Sequence, residues 1–295
     1  MAKHPIGEVF GFHFSDLSEE AKSGRAGKKC PFKQFGFDSD LCTKDKKNDP
    51  LGVCTWREEK SAKTEILVTI CPFRFFDFRT TSFIEQAKAF LIPDCEEFVF
   101  LPEIKVKDTN NEPIGNIDGV LIGLDSDGNV MEDKFGLIEL QSVYVSGNIR
   151  NPFRWFMEDQ DNRGSQNYSG NNYPKPDYLS SSRKRLFPQV QYKYNAFANS
   201  GNSPKFSIVI DKPFWDSMGD IPTCNRGEAD IQWIILEAEI TENGASRLRL
   251  NSLNYSKWDE IVDQRLNRVL DRDFFLEQCK RKLERMKSSN IPVTE

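Results

Sequence analysis

Two acidic residues 21 positions apart, Asp118 and Glu139, and an amide just beyond them, Gln141, are the side chains of this 295-residue protein best suited to chemistry. Asp118 lies in Asn116-Ile117-Asp118-Gly119-Val120-Leu121, and Glu139 opens Glu139-Leu140-Gln141. An Asp at the edge of one strand and a Glu-x-Gln in the next bring the three near one another. Glu139 and Gln141 share a face because strand side chains alternate. Hard oxygen donors of this kind suit Mg²⁺, which binds through one or two carboxylates plus water and phosphate oxygens. Phosphodiester hydrolysis uses such an ion to lower the pKa of the attacking water and to neutralise charge on the scissile phosphate. Taken alone, the spacing fits equally an Asp that begins a turn and a Glu on a solvated strand face.

Four of the seven cysteines, Cys30, Cys42, Cys54 and Cys71, fall early in the chain, separated by 11, 11 and 16 residues. Four thiolates can hold a tetrahedral ion, and its binding energy would help fold a stretch poor in apolar runs. Zn and Fe both accept such a set, so the ligands do not separate them. The pattern has no Cys-x-x-Cys knuckle, and four free buried thiols are the bland alternative. Cys-Pro turns at Cys30 and Cys71 favour the metal. Cys95, Cys224 and Cys279 read as ordinary thiols.

Donors for nucleic acid are concentrated in Arg183-Lys184-Arg185 and on the polar side of the helix after it, at Gln189, Gln191 and Lys193. Arg pairs with guanine and Gln with adenine, whereas Lys more often contacts the backbone. Arg150, in the segment that leaves the second acidic strand, is a further candidate. A basic turn at a helix start is also a common solvated face. The two histidines, His4 and His13, are far in sequence from the carboxylates, which argues against a Ser-His-Asp or Cys-His hydrolase. No phosphate loop or dinucleotide fingerprint is present.

The elements that must position these residues are strands in the middle and helices around them. Runs at 66–70, 98–101, 117–124, 137–141, 206–210 and 231–240 read as strands. Residues 81–91 read as a helix that stops before Pro93. From Ser182, Leu186, Val190, Tyr194 and Phe197 share a helical face ended by Gly201, with Pro188 marking a kink or the true start. Residues 257–287 read as one long amphipathic helix with Leu276 and Leu283 on its apolar side. Residues 148–182 read as a long loop, a length that is usually functional or disordered, and are expected to touch substrate. The expected fold is therefore α/β (α+β): a mixed sheet flanked by helices, with a Cys₄ metal-binding region at 1–72 and, at 73–295, a main domain that carries the acidic residues and the candidate DNA donors.

Composition sets the remaining bounds. Charged residues make up 29% and hydrophobic ones 38%, which excludes a disordered chain. No stretch approaches the roughly 20 apolar residues of a membrane helix. The N-terminus lacks an apolar core with a cleavage site, so a cytoplasmic location is expected. A formal charge of -5 neither favours nor excludes a DNA enzyme, because an acidic body can carry a basic cleft.

The acidic pair resembles the core of the PD-(D/E)xK nucleases, with Gln141 where that pattern usually has Lys. Gln has no positive charge and can only orient water or phosphate. The order of the pieces is similar to the NotI family of restriction endonucleases, in which Glu-x-Gln is the expected form. The shared features are Cys-Pro-Phe at Cys30, Cys42, Gly-Val-Cys at Cys54, Cys-Pro at Cys71, the Asp118 to Glu139-x-Gln141 spacing, and the helix running Lys184-Arg185-Leu186-Phe187-Pro188-Gln189-Val190-Gln191-Tyr192-Lys193. The likeness covers roughly residues 28 to 215. It implies a type II restriction endonuclease, a cytoplasmic homodimer with Mg²⁺ catalysis and a Cys₄ site holding Fe or Zn. It implies Glu103 as a further acid at the Mg²⁺ site, and a cognate DNA methyltransferase in the same system. Family preferences imply a GC-rich palindrome of double-stranded DNA, GGCC-centred and six to eight base pairs long. A catalytically degenerate DNA-binding protein of the same fold is the alternative. From another class, Asp118 and Glu139 could be the acid/base pair of a carbohydrate hydrolase, whose activity would survive EDTA.

Overall fold

Strand-forming runs sort into two larger sheets and one short ribbon in the computed structural model, which describes residues 5–33, 37, 39–45, 49–61, 64–77, 83–162, 174–201, 204–240, 246–267 and 269–288. The first sheet has the order β2-β1-β3-β4, with β1 (Ile6–Val9), β2 (Phe12–His13), β3 (Val53–Ser61) and β4 (Thr64–Thr69). Phe10 and Gly11 turn the β1–β2 hairpin with φ of 50° and 82°. Gly11 is required there, because a Cβ would meet the Pro31 ring and its φ favours glycine. Between hairpin and β3 lies α1 (Glu19–Ala26), whose first turn is capped by the Ser18 hydroxyl accepting from Ala21 N at 3.2 Å.

The second sheet carries the acidic residues. After α2 (Phe83–Leu91), the strands β5 (Phe98–Lys107), β6 (Pro113–Leu124) and β7 (Val130–Leu140) form an antiparallel meander. A two-stranded ribbon of β8 (Val145–Ser146) and β9 (Lys175–Pro176) brackets α3 (Arg150–Glu158). Then come α4 (Phe187–Asn199), β10 (Phe206–Asp211), α5 (Lys212–Ser217), β11 (Ile231–Ile240), β12 (Ser246–Ser256), α6 (Trp258–Arg265) and α7 (Arg272–Ser288). The sheet order is β12-β11-β10-β7-β6-β5, with β10 parallel to both β7 and β11. The protein is thus a mixed α/β fold with a six-stranded mixed sheet flanked by helices.

All six residues of β10 are buried, as a parallel strand covered on both faces requires. Alternation sorts the sheet's side chains into two layers. Leu121, Ile138, Val209 and Ile234 pack with Phe83, Ala87 and Phe90 of α2. Leu137, Ile208, Ile210, Trp233 and Ile235 pack with Phe187 and Val190 of α4, Phe214 of α5 and Trp258 of α6. Ile6, Val9, Trp56 and Val68 of the four-stranded sheet bury into this second layer. Burying a side chain of that size contributes about 1.5–3 kcal/mol, so the N-terminal sheet is held by a shared core.

Two expectations change. The segment 148–182 is not a bare loop: it contains α3, β9 and the start of a π-helical turn at Ser180–Leu186 that runs into α4. Phe153 and Phe156, three apart, bury one face of α3, a short pattern that Asn and Gly around it conceal. Residues 163–173 of this segment lie outside the described residues. The helix expected over 257–287 is two helices. α7 starts afresh where Asp271 Oδ1 accepts from Phe274 N at 3.0 Å, and Leu276 and Leu283 are exposed. Among the described residues no helix is long and apolar enough to cross a membrane.

Candidate active site

Register brings three acids into one row. Gly119 pairs with Ile138 and Val120 with Leu137, which sets Asp118 across from Glu139. On the other side, Pro102 pairs with Gly119 and Ile104 with Ile117, which sets Glu103 across from Asp118. Cross-strand neighbours on one face stand about 4.5–5.5 Å apart at Cβ, and like charges so placed are destabilising. A row of acids on three adjacent strands is therefore costly to the fold. Glu103 adds to that cost, since its φ of 55° is left-handed and unfavourable for a residue with a Cβ by roughly 1–2 kcal/mol. Strain of this kind clusters at functional sites.

The carboxyl groups of Asp118 and Glu139 lie within hydrogen-bond reach of each other. Asp118 Oδ2 accepts from the backbone N–H of Leu140 at 2.8 Å, which ties the carboxylate to the neighbouring strand. Burial raises the pKa of Asp118, against that hydrogen bond and the charge of Lys193. Glu139 is 5% exposed. Burial and the adjacent Asp118 charge push its carboxyl up to about 8, opposed by Lys193. Glu103 is exposed and Asp118 half-buried, so the row opens to solvent on the β5 side.

Lys193 is the side chain that sequence reasoning misplaced. It was assigned to the polar face of its helix as a DNA donor, but it is 8% exposed and its Nζ donates to both Oε1 and Oε2 of Glu139 at 2.6 Å. Helical spacing held the clue. Lys193 follows Val190 by three and precedes Phe197 by four, which places it on the inward stripe. α4 packs on β6, and the Lys193 stem passes 4.0 Å from where a Cβ on Gly115 would sit. Gln141 behaves differently from expectation as well. Its Nε2 donates to the carbonyl of the next residue, Ser142, at 2.6 Å.

The remaining candidates are dispersed. Arg183, Lys184 and Arg185 are exposed on the π-helical turn, a distortion that often marks function. The Arg185 guanidinium stacks 4.3 Å above the ring of Tyr144, three residues beyond Gln141. Gln189 is exposed, and Gln191 donates to Asn195 at 2.6 Å. Arg150 points instead to the N-terminal region, donating to Asp45 at 2.7 Å and to Asp49 at 2.6 Å. His13 contacts Ser15; His4 lies outside the described residues. A groove of about 690 Å³ lined by Leu67, Lys212, Asp216, Glu239 and Arg249 includes none of these residues.

The four early cysteines do meet. Cys30, Cys42, Cys54 and Cys71 line one small cavity beside Phe10 and Phe73. Burial pushes the Cys30 thiol up to about 11 and raises those of Cys42 and Cys54. Lys44 Nζ donates to the carbonyls of Val53 and Ile70 at 2.8 Å, pinning the residues just before Cys54 and Cys71. Among the described residues, no group of three or more His, Cys, Asp or Glu stands as a ready-made metal cage. This holds for the cysteines and for the acidic row alike.

What the row offers chemically is hard oxygen donors beside one ammonium, open to a polar ligand on one side. No curated protein matches the chain. The family model described as restriction endonuclease NotI matches residues 9–249, a span holding the acidic row, Lys193 and the four cysteines. By that match the chain belongs to the NotI restriction endonuclease family and is a type II restriction endonuclease, a site-specific deoxyribonuclease acting on double-stranded DNA.

Proposed function

We propose that Asp118 and Glu139, with Glu103 beside them, hold Mg²⁺ at the centre that hydrolyses the phosphodiester. The observation that carries this is the cross-strand placement of the two carboxyl groups within hydrogen-bond reach. Restriction endonucleases generally use Mg²⁺, and hard carboxylate oxygens on a row that is exposed at Glu103 and half-buried at Asp118 suit it. Bound there, the ion would supply a lower pKa for attacking water and charge neutralisation at the phosphate. The chain's own residues do the positioning. Leu140 N–H fixes one oxygen of Asp118, leaving the other toward the row. Gln141, turned to its own backbone, shapes the strand end where the duplex would approach.

Specificity belongs, in this reading, to a homodimer cutting a GC-rich, GGCC-centred palindrome of six to eight base pairs, each subunit reading one half-site. Arg183, Lys184 and Arg185 and the exposed Gln189 are the donors that support it, and Arg185 and Tyr144 offer a stacked pair near the acidic strand. Arg150, paired to Asp45 and Asp49, serves to hold the N-terminal region. Residues 1–72 form the Cys₄ region and 73–295 the catalytic and DNA-binding domain. The cavity shared by four thiols supports Fe or Zn, since a metal releases their protons and draws ligands together. A cytoplasmic setting with a cognate methyltransferase completes the proposal.

The test is digestion of a sequenced genome by the purified protein with Mg²⁺, mapping the ends. Ends sharing one GC-rich palindrome, lost on adding EDTA, are expected. Cleavage undiminished by EDTA would remove the proposed centre.

A further inference from the structure

The strand position where related nuclease patterns carry a lysine is filled here by Gln141, whose amide is committed to the Ser142 carbonyl. Nothing at that position delivers positive charge to the acidic row. Yet an ammonium is there, entering from a different element. Lys193 Nζ meets both oxygens of Glu139 at 2.6 Å in a site almost closed to solvent. Lysine is rarely buried, and only when paired. Removing one partner of such a pair leaves an uncompensated charge. Its stem runs past Gly115, and its helix is seated on the same layer by Phe187 and Val190, so the ammonium is delivered by rigid structure.

We propose that Lys193 supplies the active-site positive charge that Gln141 cannot, as a positioning residue that acts on Glu139 from α4 rather than from β7. This rests on the reading of Asp118 and Glu139 as the catalytic pair. The same helix presents Gln189 and Tyr192 outward, both exposed, and follows the exposed basic turn at Arg183, Lys184 and Arg185. A movement of α4 against DNA would therefore move the ammonium on Glu139. Charge at the centre is thereby tied to the surface that meets the duplex, an arrangement unattainable for a lysine fixed in the strand.

The experiment compares Lys193→Gln, which keeps a donor for Glu139 but removes the charge, with the exchange Gln141→Lys plus Lys193→Gln, which returns an amine from the strand. Full-length proteins are assayed for single-turnover cleavage of plasmid DNA at saturating Mg²⁺, for Mn²⁺ binding by calorimetry without DNA, and for melting temperature. The single variant should cleave at least a hundredfold more slowly while binding Mn²⁺ as tightly as the parent or more so, because a competing positive charge is gone. The exchange should recover at least tenfold of the loss. A single variant within threefold of the parent rate overturns the proposal. So does Mn²⁺ affinity falling in step with rate, which would mark a packing role only. An exchange no faster than the single variant overturns it also. If Asp118→Ala kept full cleavage, the carboxylate reading itself would fall, a result distinct from all of these.

Discussion

The acidic row and the cysteine cavity are both gatherings of polar groups in apolar surroundings, and the protein treats them differently. The row arrives with its counter-charge, since Lys193 contacts Glu139 and the Leu140 N–H contacts Asp118. Beside the four thiols, the ammonium groups of the described lysines spend their donors on oxygen: Lys44 on the Val53 and Ile70 carbonyls and Lys33 on the Leu41 carbonyl and the Thr43 hydroxyl. The difference follows from protonation. A thiol is neutral at ordinary pH and can be buried alone, and burial pushes it further that way, to about 11 at Cys30. A carboxyl group is ordinarily charged, and burying it costs unless it is compensated: burial and Asp118 push Glu139 up to about 8, and the Lys193 ammonium opposes that shift. Hence one site is held together by charge pairing before any ligand binds, whereas the other is held by the backbone that carries it.

The largest effect that would separate the two is on catalysis. Asp118→Ala or Glu139→Ala should reduce plasmid cleavage on the order of a thousandfold or more. DNA binding by gel shift should stay largely intact in both variants. Either variant retaining parental activity would dissolve the row as a centre. Cys54→Ser should show the opposite profile, losing melting temperature and bound metal together while changes in cleavage follow stability. A metal assay unchanged by it would leave the cavity as plain packing.

Next in size is the link between the regions. Arg74 is fully buried and donates to Glu8 of β1 at 2.8 Å, to Asp77 at 2.7 Å and to the Ser246 carbonyl of β12 at 3.1 Å. Arg74→Leu strands two buried carboxylates and should cost about 3–5 kcal/mol in denaturant unfolding. A loss under 1 kcal/mol would show that the Arg74 bridge adds little to the joint between the two sheets.

The last effect, spread over several pH units, is a pH dependence. Asp211, capping α5 through Phe214 N at 3.0 Å and accepting from Thr69 N of β4, is pushed up to about 7 by burial. An unfolded Asp titrates near 3.9. Between those values the folded protein holds a proton that the unfolded chain has lost, so stability falls as pH rises from about 4 to about 7 and levels above. Asp211→Asn should flatten that slope in thermal melts. A slope identical to the parent would mean that Asp211 is ionised in the fold throughout.

Much of the frame was legible because it is local. Alternating or continuous apolar runs marked β4, β6, β7, β10 and β11, and the residue types at Asp118 and Glu139 announced oxygen-donor chemistry. Helix ends were harder: Asp271 restarts a helix where periodicity reads straight through. Arg150 read as a DNA donor because its two acidic partners are about a hundred residues away. Lys193 read as solvent-facing because a charged residue is assigned outward by type, although its spacing from Val190 and Phe197 turns it inward.

By itself, the chain's order of residues determined which strands form, which side chains carry hard oxygen donors, which thiols are close enough in sequence to share a site, and which family it belongs to. Only the tertiary structure decided that Glu103, Asp118 and Glu139 stand in one row, that Gln141 faces its own backbone, and that the balancing charge comes from α4. The reason is physical: strand formation is governed by neighbours within a few positions, but the compensation of a buried charge is governed by distance in space. The 54 positions between Glu139 and Lys193 impose no constraint until the sheet and the helix pack.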